Sequence, residues 1–314
     1  MDHTLDVASQ FQMSPVALLV LNAVLAFMMF GVSLGLRPAD FVAVMRRPLA
    51  PVTGLVAQFL LLPALTCLVT SWLKIEPGLA LGMILVACCP GGTFSNVMTW
   101  IGRANVATSV SMTAVSSLAA VVMTPFNFAL YGHLNPYTRE MLQTIALPVQ
   151  NMVMLVVLVL AVPMLLGMLI GARFPRFVEQ SERYFRSGSL LVFLLFVVIS
   201  FSKHWQTAVQ IAGSVLLLVI AHNALAFLIG NASGRLMRLP LADRRAVTME
   251  VGIQNSGLAL AILFTFYPSA GAMLVVAGFW GVWHLVSGLA LAGYWNFSNK
   301  KWARAQNLQS EPQT

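Results

Sequence analysis

Apolar residues run through this chain in long blocks, and short polar stretches between them hold nearly all of its charges. Blocks of about 20 residues match the ~30 Å hydrocarbon core of a bilayer when coiled into helices. The pattern predicts nine such segments: about Pro15–Leu36, Leu49–Leu73, Pro77–Ile101, Val106–Leu130, Thr144–Ile170, Gly188–Phe201, Val209–Gly234, Arg245–Phe266 and Ala270–Phe297. Two of the nine are interrupted in mid-span. The third breaks at Pro90-Gly91-Gly92 and the eighth around Gly252–Gly257. The expected fold is an all-α polytopic membrane protein of nine transmembrane helices with two discontinuous helices.

Composition agrees. Hydrophobic residues make up 59% of the 314 and charged residues only 9%, against about 25% charged in a soluble domain. The basic residues then test the helix count. With nine spans, Lys74, Arg139 and Lys203 fall on one side and the other 15 of the 18 Lys and Arg on the opposite side. The excess marks the cytoplasmic face, so the C-terminus is expected inside and the N-terminus outside. A basic collar beside anionic lipid accounts for the net charge of +8 without nucleic acid. The acidic N-terminal stretch MDHTLDVASQFQM has no Lys or Arg, so the first apolar run is expected to stay as a helix rather than be cleaved as a signal. The segment Ala172 to Ser187, rich in Arg, reads as a cytoplasmic linker between two halves.

The halves look related. PGGTFSN (Pro90 to Asn96) and EVGIQNSG (Glu250 to Gly257) both combine Gly with Asn and Ser. One helix runs inward and the other outward. This fits an inverted repeat whose first copy lacks its opening helix: residues 1–143 as the first half, 144–299 as the second, and 300–314 as a cytoplasmic tail. Paired broken helices in opposed repeats point to a transporter's binding site. Breaks free backbone carbonyls, which suit a cation, and N–H groups at half-helix starts, which suit an anion.

Glu250 is the one acidic residue predicted to lie inside the membrane; the other nine Asp and Glu fall in loops or tails. A carboxylate at mid-bilayer costs roughly 2.5–3.5 kcal/mol on insertion scales, so a partner is implied. Neutral oxygens accompany it: Ser95 and Asn96 after the first break, Ser109 and Thr113 one turn apart on the next helix, Gln58 in the second segment, and Gln254 and Asn255 in the second break. Single Ser and Thr residues in membrane helices also back-bond to the preceding turn, and a buried amide also bonds a neighbouring helix. His222 and His284 fall in predicted helices, where a lone His is often a packing residue. Cys67, Cys88 and Cys89 lie in apolar segments and suggest neither a disulfide framework nor a transition-metal site.

The runs CCPGGTFSNVMT, GRANVATSVSMTAVSSL and EVGIQNSGLA resemble the bile acid:sodium symporter family. The likeness continues through MFGVSLGL, AQFLLLP and WHLVSG. It implies a panel domain and a core domain in which the two discontinuous helices cross, and symport of organic anions with Na+, with two ions expected at two sites. The first would fall on Ser95, Asn96, Ser109, Thr113 and Glu250. The second would fall on Gln58, Glu250 and Gln254 with backbone carbonyls near Val251 and Ile253. The substrate positions would be Thr93, Phe94, Asn255 and His284. Phe94 stands where a small residue is usual, and Leu285 where some members carry Asn; both bear on selectivity for bile salts. Bile-acid-like anions and small carboxylates such as pantoate- or ketopantoate-like acids are both expected substrates, with no cofactor beyond Na+. The expected assembly is a monomer or weak homodimer in the inner or plasma membrane. Two other classes stay open: a cation/proton antiporter with a similar core, which usually carries Asp at the crossing, and a receptor or scaffold without transport. No Asp pair, Ser–His pair or metal-ligand spacing suggests an enzyme.

Overall fold

The computed structural model describes residues 15–37, 46–144, 149–178, 205–267 and 269–310, with isolated positions between them. The predicted sixth segment, Gly188–Phe201, lies almost wholly outside the described residues. The helices, in order, are α1 (Pro15–Ser33), α2 (Leu49–Trp72), α3 (Pro77–Cys88), α4 (Phe94–Ile101), α5 (Val106–Leu134), the short α6 (Arg139–Thr144), α7 (Val149–Arg173), α8 (Trp205–Leu236), α9 (Leu241–Gly252), α10 (Ser256–Phe266) and α11 (Gly271–Ser310). Among the described residues, five stretches are long and apolar enough to cross a membrane: α2, α5, α7, Val215–Leu236 of α8 and Gly271–Ser298 of α11.

Several boundaries differ from the sequence reading, two of them with a clear physical cause. α9 begins four residues before the expected Arg245, because Pro240 sits at its N-cap with φ −51° and ψ 149°. Hydropathy finds where charge ends, whereas a proline finds where a helix starts. α11 runs on to Ser310, past the expected Phe297, since KKWARAQNLQS is built of good helix formers.

α3 is apolar all round and is buried along almost its whole length, as such a helix must be. It starts from Glu76, whose carboxylate accepts from Gly78 N and Leu79 N at 3.0 and 2.9 Å, with Pro77 at the first helical position. α2 carries a π-helical turn over Ala57–Leu61, just before Pro63. A proline ring clashes with the carbonyl four residues back, here Phe59. That freed carbonyl accepts from Asn127 Nδ2 of α5 at 2.7 Å. The widened turn contains Gln58, fully buried.

α2 and α8 end in the same turn. Lys74 and Arg238 adopt left-handed φ values of 51° and 53°. Lys74 N donates to Ser71 O and Ile75 N to Thr70 O; Arg238 N donates to Arg235 O and Leu239 N to Gly234 O. Each turn satisfies the last helical carbonyls, places a cation at the negative helix end and leads directly into a broken helix.

Candidate functional site

The two interruptions meet backbone to backbone. α3 stops at Cys88 and α4 starts at Phe94; α9 stops at Gly252 and α10 starts at Ser256. Between them, Gly91 and Gln254 pair as an isolated antiparallel bridge. Gly92 N donates to Ile253 O at 2.6 Å and Asn255 N to Pro90 O at 2.9 Å. Each break thus satisfies part of the other's freed backbone, which hydrocarbon could not do.

The remaining carbonyls are met by side chains that arrive from other helices. Gln58 Nε2 donates to Cys89 O at 3.1 Å and Thr124 Oγ1 to Cys88 O at 2.8 Å. At the other break, Asn223 Nδ2 of α8 donates to Gly252 O at 2.7 Å, and Ser287 Oγ of α11 donates to Asn223 Oδ1 at 2.5 Å. Sequence reasoning missed Asn223, Ser287 and Thr124. A signal was present for Asn223: it is an amide inside the apolar run VLLLVIAHNALAFL, as Gln58 is inside its own.

Glu250 lies on the last turn of α9 and is 0% exposed. It is the one buried Asp, Glu, Lys or Arg among the described residues. Its Oε2 accepts from Ser95 Oγ at 2.5 Å and Ser109 Oγ at 3.1 Å, and its Oε1 from Thr113 Oγ1 at 2.7 Å. Asn96 Oδ1 sits 3.3 Å from Thr113 Oγ1. All five residues read as a first ion site therefore come together.

The register that achieves this is set two turns earlier on α9. Asp243, seven residues before Glu250 and so on the same face, accepts from Asn105 Nδ2 at 2.6 Å and Thr108 Oγ1 at 2.8 Å. Asn105 also caps α5 by accepting from Thr108 N at 3.2 Å. With the starts of α5 and α9 clamped, Ser109 and Thr113 arrive opposite Glu250.

The second group is assembled in part. Gln58 Nε2 donates to Gln254 Oε1 at 3.2 Å, and Gln254 Nε2 to Val251 O at 2.7 Å. Gln58 Oε1 is buried without a hydrogen-bond partner. The Ile253 carbonyl, however, already accepts from Gly92 N, and the hydrogen bonds of Glu250 given above all lie in the first group.

Thr93, Phe94, Asn255 and His284 line one cavity with Leu25 and Met29 of α1. Its two helix starts differ. Asn255 caps α10 with its own side chain, accepting from Leu258 N at 3.0 Å. Thr93, at the start of α4, makes no side-chain cap bond. His284 Nδ1 is buried with no partner. The cavity is only about 40 Å³, room for about three waters. His222 lies elsewhere: it meets Thr66 Oγ1 at 2.8 Å and packs edge-on to Trp280 with centroids 4.7 Å apart.

A profile of the Sodium Bile acid symporter family matches residues 22–211. The chain belongs to this family. It is 31% identical over 279 residues to the uncharacterized sodium-dependent transporter YocS of Bacillus subtilis, covering 88% of this chain and 83% of that one. It is 29% identical to the probable sodium/metabolite cotransporter BASS1 of Arabidopsis thaliana chloroplasts, over 88% of this chain and 67% of the relative. Against the sodium-dependent organic anion transporter of Bos taurus the identity is 26%, over 82% and 67% of the two chains.

The donor set fits the family's ion. The oxygens of Ser95, Ser109, Thr113, Asn96 and Glu250 are hard donors, suited to a hard cation. The hydroxyls that donate to the carboxylate keep lone pairs for an ion. A monovalent cation at this cluster cancels the one charge of Glu250. Thr113→Val keeps the shape of the side chain and removes one oxygen. It is expected to weaken sodium binding by roughly 1–3 kcal/mol, seen as a rightward shift in a sodium titration of thermal stability.

Proposed function

We propose that the protein is a secondary active transporter that carries an organic anion across the membrane together with Na+. The observation that supports this most is the unpaired carboxylate of Glu250, held by three hydroxyls beside two paired helix breaks that border a cavity. The relatives, sodium-dependent transporters by name among them, point the same way. In this reading Ser95, Asn96, Ser109, Thr113 and Glu250 hold one ion, and Gln58 and Gln254 with the Val251 carbonyl hold a second. Gln58 Oε1, buried and unpartnered, is the oxygen that supports a second ion.

Charge balance ties the ligands together. Two Na+ against one Glu250 leave one positive charge, which an anionic substrate cancels. The second ion and the anion should therefore bind cooperatively, each raising the other's affinity by the same factor. The anion's place is the cavity, with its carboxylate at the uncapped start of α4 near Thr93 and His284 Nδ1 at its side. An organic acid needs a few hundred Å³, so α1 and α7 must part from the broken helices for it to enter.

The nine-span topology, N-terminus outside and C-terminus in the cytoplasm, remains the arrangement we favour. The matching amides Gln58 and Asn223, each donating to a carbonyl at one break, support an inverted repeat with crossed broken helices. An antiporter is less well supported, since no Asp lies at the breaks.

Uptake of labelled organic acids into proteoliposomes, with and without an inward sodium gradient, tests the reading. Uptake that ignores sodium across a panel of small carboxylates would refute it. Phe94→Ala removes the ring that narrows the cavity. It is expected to admit bulkier acids while leaving sodium affinity near wild type, read as a changed substrate ranking in the same assay.

A further inference from the structure

A second cavity, a groove of about 610 Å³, opens between α8 and α11 over the first turns of α9. One end is strongly basic: Arg235, Arg244 and Arg245 line it, with no Asp or Glu among its described lining residues. The nearby acid, Asp243, is turned to Asn105 and Thr108 of α5 instead. Arg245 lies over the Trp295 ring at 5.1 Å. The other end is apolar. Ile220, Ala224 and Leu228 of α8 form its wall, and Leu228 is 62% exposed. Ile220 and Arg235 are both lining residues, and 15 helical residues rise about 22 Å. That exceeds the ~15 Å of hydrocarbon in one leaflet. Trp283, Tyr294 and Trp295 of α11 also line the groove; such amphipathic rings are enriched at headgroup boundaries.

A free small anion uses the basic end and leaves the apolar wall bare. A neutral lipid uses the wall and leaves the charges of Arg235 and Arg244 without an anion among the described lining residues. We propose that this groove is a specific site for an anionic phospholipid, its phosphate held among Arg235, Arg244 and Arg245 and one acyl chain lying along α8 and α11. The floor of the groove includes Asn223 and Ser287, the pair that holds the Gly252 carbonyl. A bound lipid therefore rests on the side chains that support the second helix break.

The test uses the full chain in detergent and native mass spectrometry, with phosphatidylglycerol and phosphatidylcholine of the same acyl chains. Phosphatidylglycerol is expected to be retained and phosphatidylcholine not; equal retention overturns the proposal. Each basic residue near a lipid surface contributes about fivefold in affinity, so Arg235→Gln with Arg244→Gln should weaken phosphatidylglycerol about 25-fold. The charge-matched pair Arg173→Gln with Arg176→Gln, outside the groove, should leave it unchanged. Equal losses in both pairs would assign the binding to the diffuse basic surface and overturn the specific site. Inorganic phosphate and glycerol 3-phosphate at millimolar concentration should not displace the lipid; displacement by either makes this a small-anion site. Ala224→Trp fills the chain end and keeps every arginine. It should also weaken phosphatidylglycerol, which keeps the proposal testable should the double arginine variant not fold; undiminished binding there overturns the acyl-chain placement.

Discussion

Glu250→Gln is expected to abolish sodium-driven uptake and leave a folded protein. The amide nearly matches the carboxylate in shape, so the pairing of the breaks through Gly92, Ile253, Asn255 and Pro90 is untouched. What disappears is the one buried charge among the described residues. A pair of unit charges 4 Å apart at an effective dielectric constant of 20 is worth about 4 kcal/mol, close to a thousandfold in affinity. The first proposed ion site takes its whole charge from Glu250, so no lesser ligand change matches it. Among the described residues the carboxylate has no cation partner, and replacing a buried charge by a neutral group of similar shape is often neutral or stabilising. In sodium-free buffer the variant should therefore melt at or above the wild-type temperature. Wild-type stability should rise with sodium, as binding to the folded state requires, and the variant's should not. Wild-type-like sodium stabilisation in Glu250→Gln would remove the basis of the ion reading.

The contrast between Glu250 and Asn223 shows what a linear sequence discloses here. Glu250 stands out because a charge within an apolar run has one physical meaning, a cost that must be offset. The breaks stand out because Pro90-Gly91-Gly92 cannot continue a membrane helix at ordinary cost. Ser109 and Thr113 can be placed on one face by helical spacing alone. Asn223, Ser287 and Thr124 are different. Each is a single polar residue whose role is fixed by a carbonyl far away in sequence: Gly252, Asn223 and Cys88 respectively. Hydrogen-bond partners across 29 to 64 residues follow from tertiary packing, which residue spacing does not encode. The same limit affected Ile253. Its carbonyl lies in the right segment for an ion, but only the pairing of the breaks reveals that Gly92 N–H already occupies one side of it. Helix ends were misplaced where charge and helix boundary part company, at Leu241 and after Phe297.

Gly91→Ala should damage the same site with its charge intact. A methyl group built on Gly91 would overlap the Glu250 carboxylate, contacting Oε1 and approaching Cδ at 2.7 Å and Cγ at 3.0 Å. Gly91 cannot retreat, because it pairs with Gln254 and is followed by Gly92, whose own added methyl would meet the Gln254 carbonyl oxygen at 2.8 Å. The carboxylate must move instead, and it then leaves the hydroxyls of Ser95, Ser109 and Thr113. Overpacking a filled interior costs about 1–3 kcal/mol, and the lost hydrogen bonds to a charged group about 1.5–3 kcal/mol each. A lowered melting temperature and a loss of sodium affinity of at least about tenfold are expected, by thermal shift with sodium titration. The decisive measurement is the pair with Glu250→Ala. Shortening that side chain vacates the space the new methyl needs, so Gly91→Ala should cost far less stability in the Glu250→Ala background than alone. Contacting residues couple in this way by about 0.5–3 kcal/mol. The double variant should be stable and blind to sodium. Additive stability losses, or a Gly91→Ala protein with wild-type sodium affinity, would mean that the close approach of Gly91 to the carboxylate does not shape the ion site.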